Sequence, residues 1–162
     1  PGVEVGLYVD DTVIYASNRH RKNLACAVQR AVTTLGEWFR TWRIAINPVK
    51  SAAIMFEPHT CKLPRTVGPL SLFGRNIPWA TKTKYLGVTL DSKLNFNAHV
   101  TIVRNRAVWI LSRLRPLLSS VSKMSLRHKL TLYKMCVRPI LTYSCAAFAH
   151  MSKHNFARMQ RV

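Results

Sequence analysis

The sequence predicts an α+β fold, strand-rich to about residue 91 and helical from there to the end. Three observations carry this. Short runs of Val, Ile, Tyr and Thr, too brief for helices, dominate the first part. An apolar period of three to four residues occupies about Arg19 to Arg43 and returns after Asn97. Acids stop at Asp91 while Lys and Arg continue to Arg161, so composition changes where the pattern does. Two regions follow, 1–91 and 92–162, and a content of 48% hydrophobic residues suffices for packed cores.

The elements follow in chain order. Val3 to Tyr8 and Thr12 to Ala16 read as the arms of a β-hairpin. From Arg19 to Arg43, Leu24, Val28, Ala31, Leu35, Trp38 and Trp42 recur at helical spacing, which predicts an amphipathic helix ended by Asn47-Pro48. "SAAIMFEP" is expected as a short buried strand, "CKLPRTVGP" as a loop, "LSLFGRNIPW" as a tight antiparallel hairpin around Gly74-Arg75-Asn76, and "KYLGVTLD" as a further strand. Asn97 is the expected cap of a helix with Val100, Val103, Ala107, Ile110, Leu114 and Leu117 on one face. Ser125 caps the next, which Pro139 should kink or split, and Ser152 caps a third. Trp38, Trp42 and Trp109 sit on these periodic faces and are expected in the core.

Lys and Arg number 25 against 6 Asp and Glu, a formal net charge of +19. Such an excess needs counter-charge, and phosphate backbones are its usual source; the bases are dispersed along the chain, which argues against a membrane-surface cluster. Neither a charged-then-apolar leader nor a run of 18 apolar residues is visible, so no signal peptide or membrane span is expected, and the dispersed bases argue for no membrane partner. The start at Pro1 and the stop at Val162 inside a helical pattern suggest a piece of a longer polypeptide. Cys26, Cys61, Cys136 and Cys145 lack metal-ligand spacing and are expected as structural thiols in a reducing compartment; His59 and Cys61 make only half a zinc site.

The chemistry concentrates in "GLYVDDTVIYAS". One Asp at a hairpin turn is ordinary, but two adjacent carboxylates between apolar flanks expected to be buried, and so poorly solvated, repel each other unless a cation offsets them. Mg²⁺ is the natural choice, since it takes one or two carboxylates and leaves positions for water and phosphate oxygens. An aromatic, any residue and two Asp arise by chance in roughly one chain in a hundred, so the motif alone is only suggestive.

Its context is more specific. "YVDD" on a hairpin resembles the catalytic motif of reverse transcriptases, and "INPVKSAAIMF" resembles the Asn-x-x-Lys strand downstream of it. "KTKYLGVTLDSKLNFNAHV" and "LYKMCVRPILTYSCAAFA" resemble the primer-grip region and thumb of non-LTR, jockey-like retrotransposon enzymes, with Phe148 where Trp is common. The resemblance covers nearly the whole chain. It implies a partial polymerase palm over 1–91, with the YVDD hairpin, an amphipathic helix and short antiparallel strands, and an α-helical thumb over 92–162, in a parent that is an RNA-directed DNA polymerase.

It implies roles as well. Asp10 is the firm metal ligand and Asp11 the second carboxylate, with Mg²⁺ or Mn²⁺ as cofactor. Tyr8 and Val9 lie near the primer terminus. Lys50 serves the leaving pyrophosphate, and Leu86 and Gly87 form the primer grip. Arg104, Arg106, Arg113 and Lys129 are the candidate nucleic-acid contacts of the basic helices. The implied partners are an RNA template, a DNA primer and deoxynucleoside triphosphates, and the implied location is the nucleus after a cytoplasmic ribonucleoprotein stage. A third palm carboxylate and the fingers are absent, and Glu4 is too close in sequence to replace that acid, so the chain alone is expected to be inactive. The competing reading is a basic nucleic-acid-binding remnant without chemistry; a maturase or telomerase relative fits the spacing less well.

Overall fold

The computed structural model describes residues 2–57 and 68–162, so His59, Cys61 and the loop around them lie outside the described residues. The chain divides into two compact units, Pro1–Leu86 and Gly87–Val162. Among the described residues, helices and small strands mix in the α+β manner expected.

In the first unit, β1 (Val3–Tyr8) and β2 (Asp11–Ala16) form an antiparallel ribbon whose register closes on Tyr8 opposite Asp11. Helix α1 (Arg21–Thr41) follows, close to the expected bounds. It ends where Arg43 turns left-handed at φ 55°, and Asn47-Pro48 blocks resumption. Strands β3 (Ala53–Ile54), β4 (Leu70–Leu72), β5 (Arg75–Ile77) and β6 (Trp79–Ala80) are all short. β4 and β5 make an antiparallel hairpin, and β3 pairs in parallel with β6, a departure from the all-antiparallel expectation.

The core of this unit is Val32 on α1 with Leu70, Leu72 and Ile77, flanked by Ile14, Val28 and Ile46. Burying a side chain of that size contributes about 2 kcal/mol. Gln29 fixes α1 over the hairpin, since its amide accepts from the Ser71 N–H (2.7 Å) and donates to the Ser71 carbonyl (2.8 Å). That pair gives the backbone of β4 the partner a neighbouring strand would supply. Gly36 lets the helix approach closely, for a Cβ there would meet Leu72 at 3.1 Å.

Three local expectations change here. The buried strand expected over "SAAIMFEP" contracts to Ala53–Ile54, because Asn47 closes a turn through Val49 N–H (3.0 Å) and its carbonyl accepts from Ser51 Oγ (3.2 Å). The hairpin turn is Phe73-Gly74, both with positive φ, so Arg75 and Asn76 are ladder residues. "KYLGVTLD" is interrupted at Leu86 and Gly87, with φ 44° and 80°, between β7 (Lys82–Tyr85) and β8 (Val88–Asp91). Two consecutive left-handed residues reverse the chain.

In the second unit β8 leads into α2 (Asn97–Leu118). Asn97 is not its cap. Phe96 takes the cap position at φ 57°, and the Asp91 carboxylate accepts from the Asn95 (3.0 Å) and Phe96 (2.8 Å) N–H groups just before the helix. Asn97 instead accepts a 2.6 Å hydrogen bond from Asn155 Nδ2, whose side chain is fully buried. Then come α3 (Leu126–Leu132), a π-helical turn (Tyr133–Val137), α4 (Arg138–Thr142), α5 (Cys145–Phe148) and α6 (Lys153–Gln160). Ser125 and Ser152 cap α3 and α6 as expected, accepting from His128 N–H and Asn155 N–H. Pro139 sits at the start of α4, so the split falls one turn before it, in the π segment. Val88, Phe96 and Phe148 form the core, with Leu90, Met151 and Met159 against it. No helix among the described residues is long and apolar enough to cross a membrane.

Candidate functional site

The β1–β2 ribbon presents its turn to solvent. With Tyr8 opposite Asp11, Val9 and Asp10 are the two central residues, and Val9 alone has a positive φ, 55°. A positive first and negative second φ is the sign pattern of a type II′ turn, which normally places Gly first. A β-branched residue there is a true outlier, costing about 1–3 kcal/mol. Val9 is 93% exposed and Tyr8 60% exposed, and both aspartates are exposed. The expectation of buried flanks and poorly solvated carboxylates is corrected. The core reaches the ribbon at Ile14 and covers that face only in part, since Val5 opposite Ile14 and Leu7 beyond it stay exposed, as does Tyr15 on the other face.

Tyr8 and Asp11 share a face with Gly6, Val13, Glu4 and Tyr15. Glu4 stands about 13 Å down the strand from the turn by strand rise. Its carboxylate accepts a 2.5 Å hydrogen bond from Tyr15 OH, which pushes the Tyr15 phenol above its usual pKa. Glu4 is therefore committed elsewhere. Among the described residues no three His, Cys, Asp or Glu side chains converge as a metal site. Asp10 and Asp11 alone supply two hard oxygen donors on adjacent residues, which fits a divalent cation that completes its shell with water and phosphate.

The other expected site residues are distributed. Lys50 is exposed in the Asn47 turn, its N–H donating to the Asn47 carbonyl at 3.2 Å. Gly87 is covered from one side, since a Cβ there would lie 2.9 Å from the Tyr143 ring. On α2, Arg106 and Arg113 are exposed, whereas Arg104 is half-buried on the side that carries Val100 and Ala107. Lys129 is engaged, its ammonium donating to the carbonyls of Ser119 (2.7 Å) and Ser122 (3.2 Å) beyond the end of α2.

Burial corrects two further expectations. Trp38, Trp42 and Trp109 are exposed, not core; Trp38 packs on Phe39 and Trp42, and Arg113 lies 5.3 Å over the Trp109 ring. Val32 and Gly36, one step round the helix from the predicted stripe, are the buried residues of α1. Of the thiols, Cys26 and Cys145 are exposed and Cys136 is half-buried, because each helix packs on one side only. The strained Val9, the Trp109–Arg113 pair and Tyr143 over Gly87 were not signalled as such, because periodicity carries no information on backbone sign or cross-chain contact.

Residues 2–90 match the family described as reverse transcriptase (RNA-dependent DNA polymerase). Among curated proteins, the chain is 33% identical to the probable RNA-directed DNA polymerase from transposon BS of Drosophila melanogaster, over 94% of this chain. It is 34% identical to the probable polymerase from transposon X-element of the same fly, over 96%, and 30% identical to that from mobile element jockey, over 93%. In each case it spans 17% of the relative's length. No solved structure matches it.

Proposed function

The chain belongs to the reverse transcriptase family of RNA-dependent DNA polymerases, and on that premise we propose that it is the segment carrying two catalytic carboxylates at the C-terminal part of the palm, followed by the thumb. One observation carries the reading. Asp10 and Asp11 stand side by side, exposed, at the end of a hairpin whose register places Tyr8 against Asp11. Adjacent carboxylates at an exposed turn suit a divalent cation that completes its shell with water and phosphate oxygens.

In this reading Asp10 and Asp11 hold Mg²⁺ or Mn²⁺, which when bound supplies Lewis-acid stabilisation to phosphoryl transfer from a deoxynucleoside triphosphate. Tyr8 offers its exposed ring to the primer terminus. Val9, held in a strained conformation, fixes the direction in which the carboxylates project. Lys50 meets the charge that develops on the leaving pyrophosphate. The Leu86-Gly87 reversal holds the primer strand, and Arg106 and Arg113 contact nucleic-acid phosphates. The third carboxylate and the fingers come from the rest of the parent, consistent with a chain that spans 17% of its relatives.

RNA-templated primer extension tests this. A parent polypeptide containing this segment adds nucleotides when a divalent cation is present, and the isolated chain binds primer-template but adds none. A parent that binds and adds nothing supports the non-catalytic remnant instead.

A further inference from the structure

Helix α2 carries two stripes, and only one is explained by the core. Val100, Ala107 and Leu111 lie on the packed side. On the opposite side Ile102, Arg106, Trp109 and Arg113 follow at spacings of four, three and four residues, all exposed. They form one line about 16 Å long on a helix rising 1.5 Å per residue. Trp109 is 56% exposed, and the Arg113 guanidinium lies 5.3 Å over its ring. The guanidinium is attracted to the ring's π-face, so the pair presents a flat apolar surface and a positive charge together at the helix surface.

Charge selects what covers it. The unit from Gly87 to Val162 has one carboxylate side chain, Asp91, and both its oxygens accept backbone N–H groups beside the start of α2. Arg106 and Arg113 thus have no counter-ion within their own unit. A neutral protein surface would bury two unpaired guanidinium groups, an expensive arrangement. A polyanion with flat apolar rings supplies both missing parts.

We propose that this stripe is a binding track for an unpaired nucleic-acid strand, with a base stacked on Trp109 and phosphates on Arg106 and Arg113. This rests on the polymerase reading, which names the occupant as single-stranded RNA, the template. Arg113 acts in two ways, neutralising phosphate and polarising the indole to which the base stacks. Trp109 reads no sequence, since every base has a π-face.

The test is equilibrium binding of the 162-residue chain to a 12-nucleotide RNA, single-stranded or as a blunt duplex, across a salt series. Trp109→Ala weakens binding to the single strand about tenfold, leaves duplex binding within about twofold, and keeps the salt slope. Trp109→Phe, which retains a stacking ring, stays within about threefold of the parent chain. Arg106→Gln lowers the single-strand salt slope by about 0.7. Because Trp109 is exposed, the unfolding midpoint is unchanged and the losses are not those of misfolding. Undiminished single-strand binding by Trp109→Ala, or an equal loss on the duplex, overturns the proposal. Neither result touches the polymerase reading, which stands or falls on nucleotide addition.

Discussion

Single residues hold this account where the backbone leaves its ordinary range. Val9 and Gly87 both have positive φ, but only Gly87 is a residue type that accepts it freely. At Gly87 a side chain is opposed twice, by φ 80° and by the Tyr143 ring 2.9 Å from a Cβ. Gly87→Ala is therefore expected to lower stability by about 1–2 kcal/mol in denaturant unfolding. Adding Tyr143→Ala should recover the steric part and leave the conformational part, so the two changes are non-additive. A Gly87→Ala chain as stable as the parent would contradict this. The glycine was visible in the sequence as a turn or bulge signal; the ring above it was not, because the two residues are 56 positions apart.

At the scale of elements, packing decided what periodicity left open. The sequence placed α1 and α2 well because Asn47-Pro48 and the apolar spacing are strong local signals. It misplaced their tryptophans because a helix packed on one side buries a narrow stripe, and Val32 and Ala107 fill it. His99 shows how β8, α2 and α5 are tied together. Its ring is 3% exposed, packs 5.0 Å from Phe148, and accepts from the Thr89 N–H at 3.3 Å. Burial lowers its pKa below the ordinary 6.5. The unfolded chain then binds a proton more readily than the folded one as pH falls below about 6.5. Stability is fully present above that pH and declines as pH falls from there toward the depressed folded value, by at most about 1.4 kcal/mol per pH unit. His99→Gln should remove this segment of the profile in pH-dependent thermal unfolding. A parent chain flat between pH 6.5 and 5 would refute the coupling.

Across the whole molecule, charge and the hairpin motif carry the functional reading. The net charge of +19 and the absence of acids after Asp91 were legible at once, and on them rests the proposal of a polyanion as partner. The family was legible too, from the ordered set beginning at Tyr8-Val9-Asp10-Asp11, and the match over residues 2–90 bears it out. What was not legible is how exposed the carboxylates are, since their apolar flanks read as buried. Exposure fits a ribbon whose contact with the core is confined to the neighbourhood of Ile14, with Leu7, Tyr8 and Val9 left open towards the turn. The central claim is that Asp10 is a catalytic metal ligand and not a structural turn residue. Its most direct test is nucleotide addition by a parent polypeptide carrying Asp10→Asn, measured beside its affinity for primer-template. The account predicts a loss of synthesis of about a thousandfold or more, on the order of 4 kcal/mol of transition-state stabilisation, with affinity within about threefold. Synthesis within tenfold of the unaltered enzyme would contradict it.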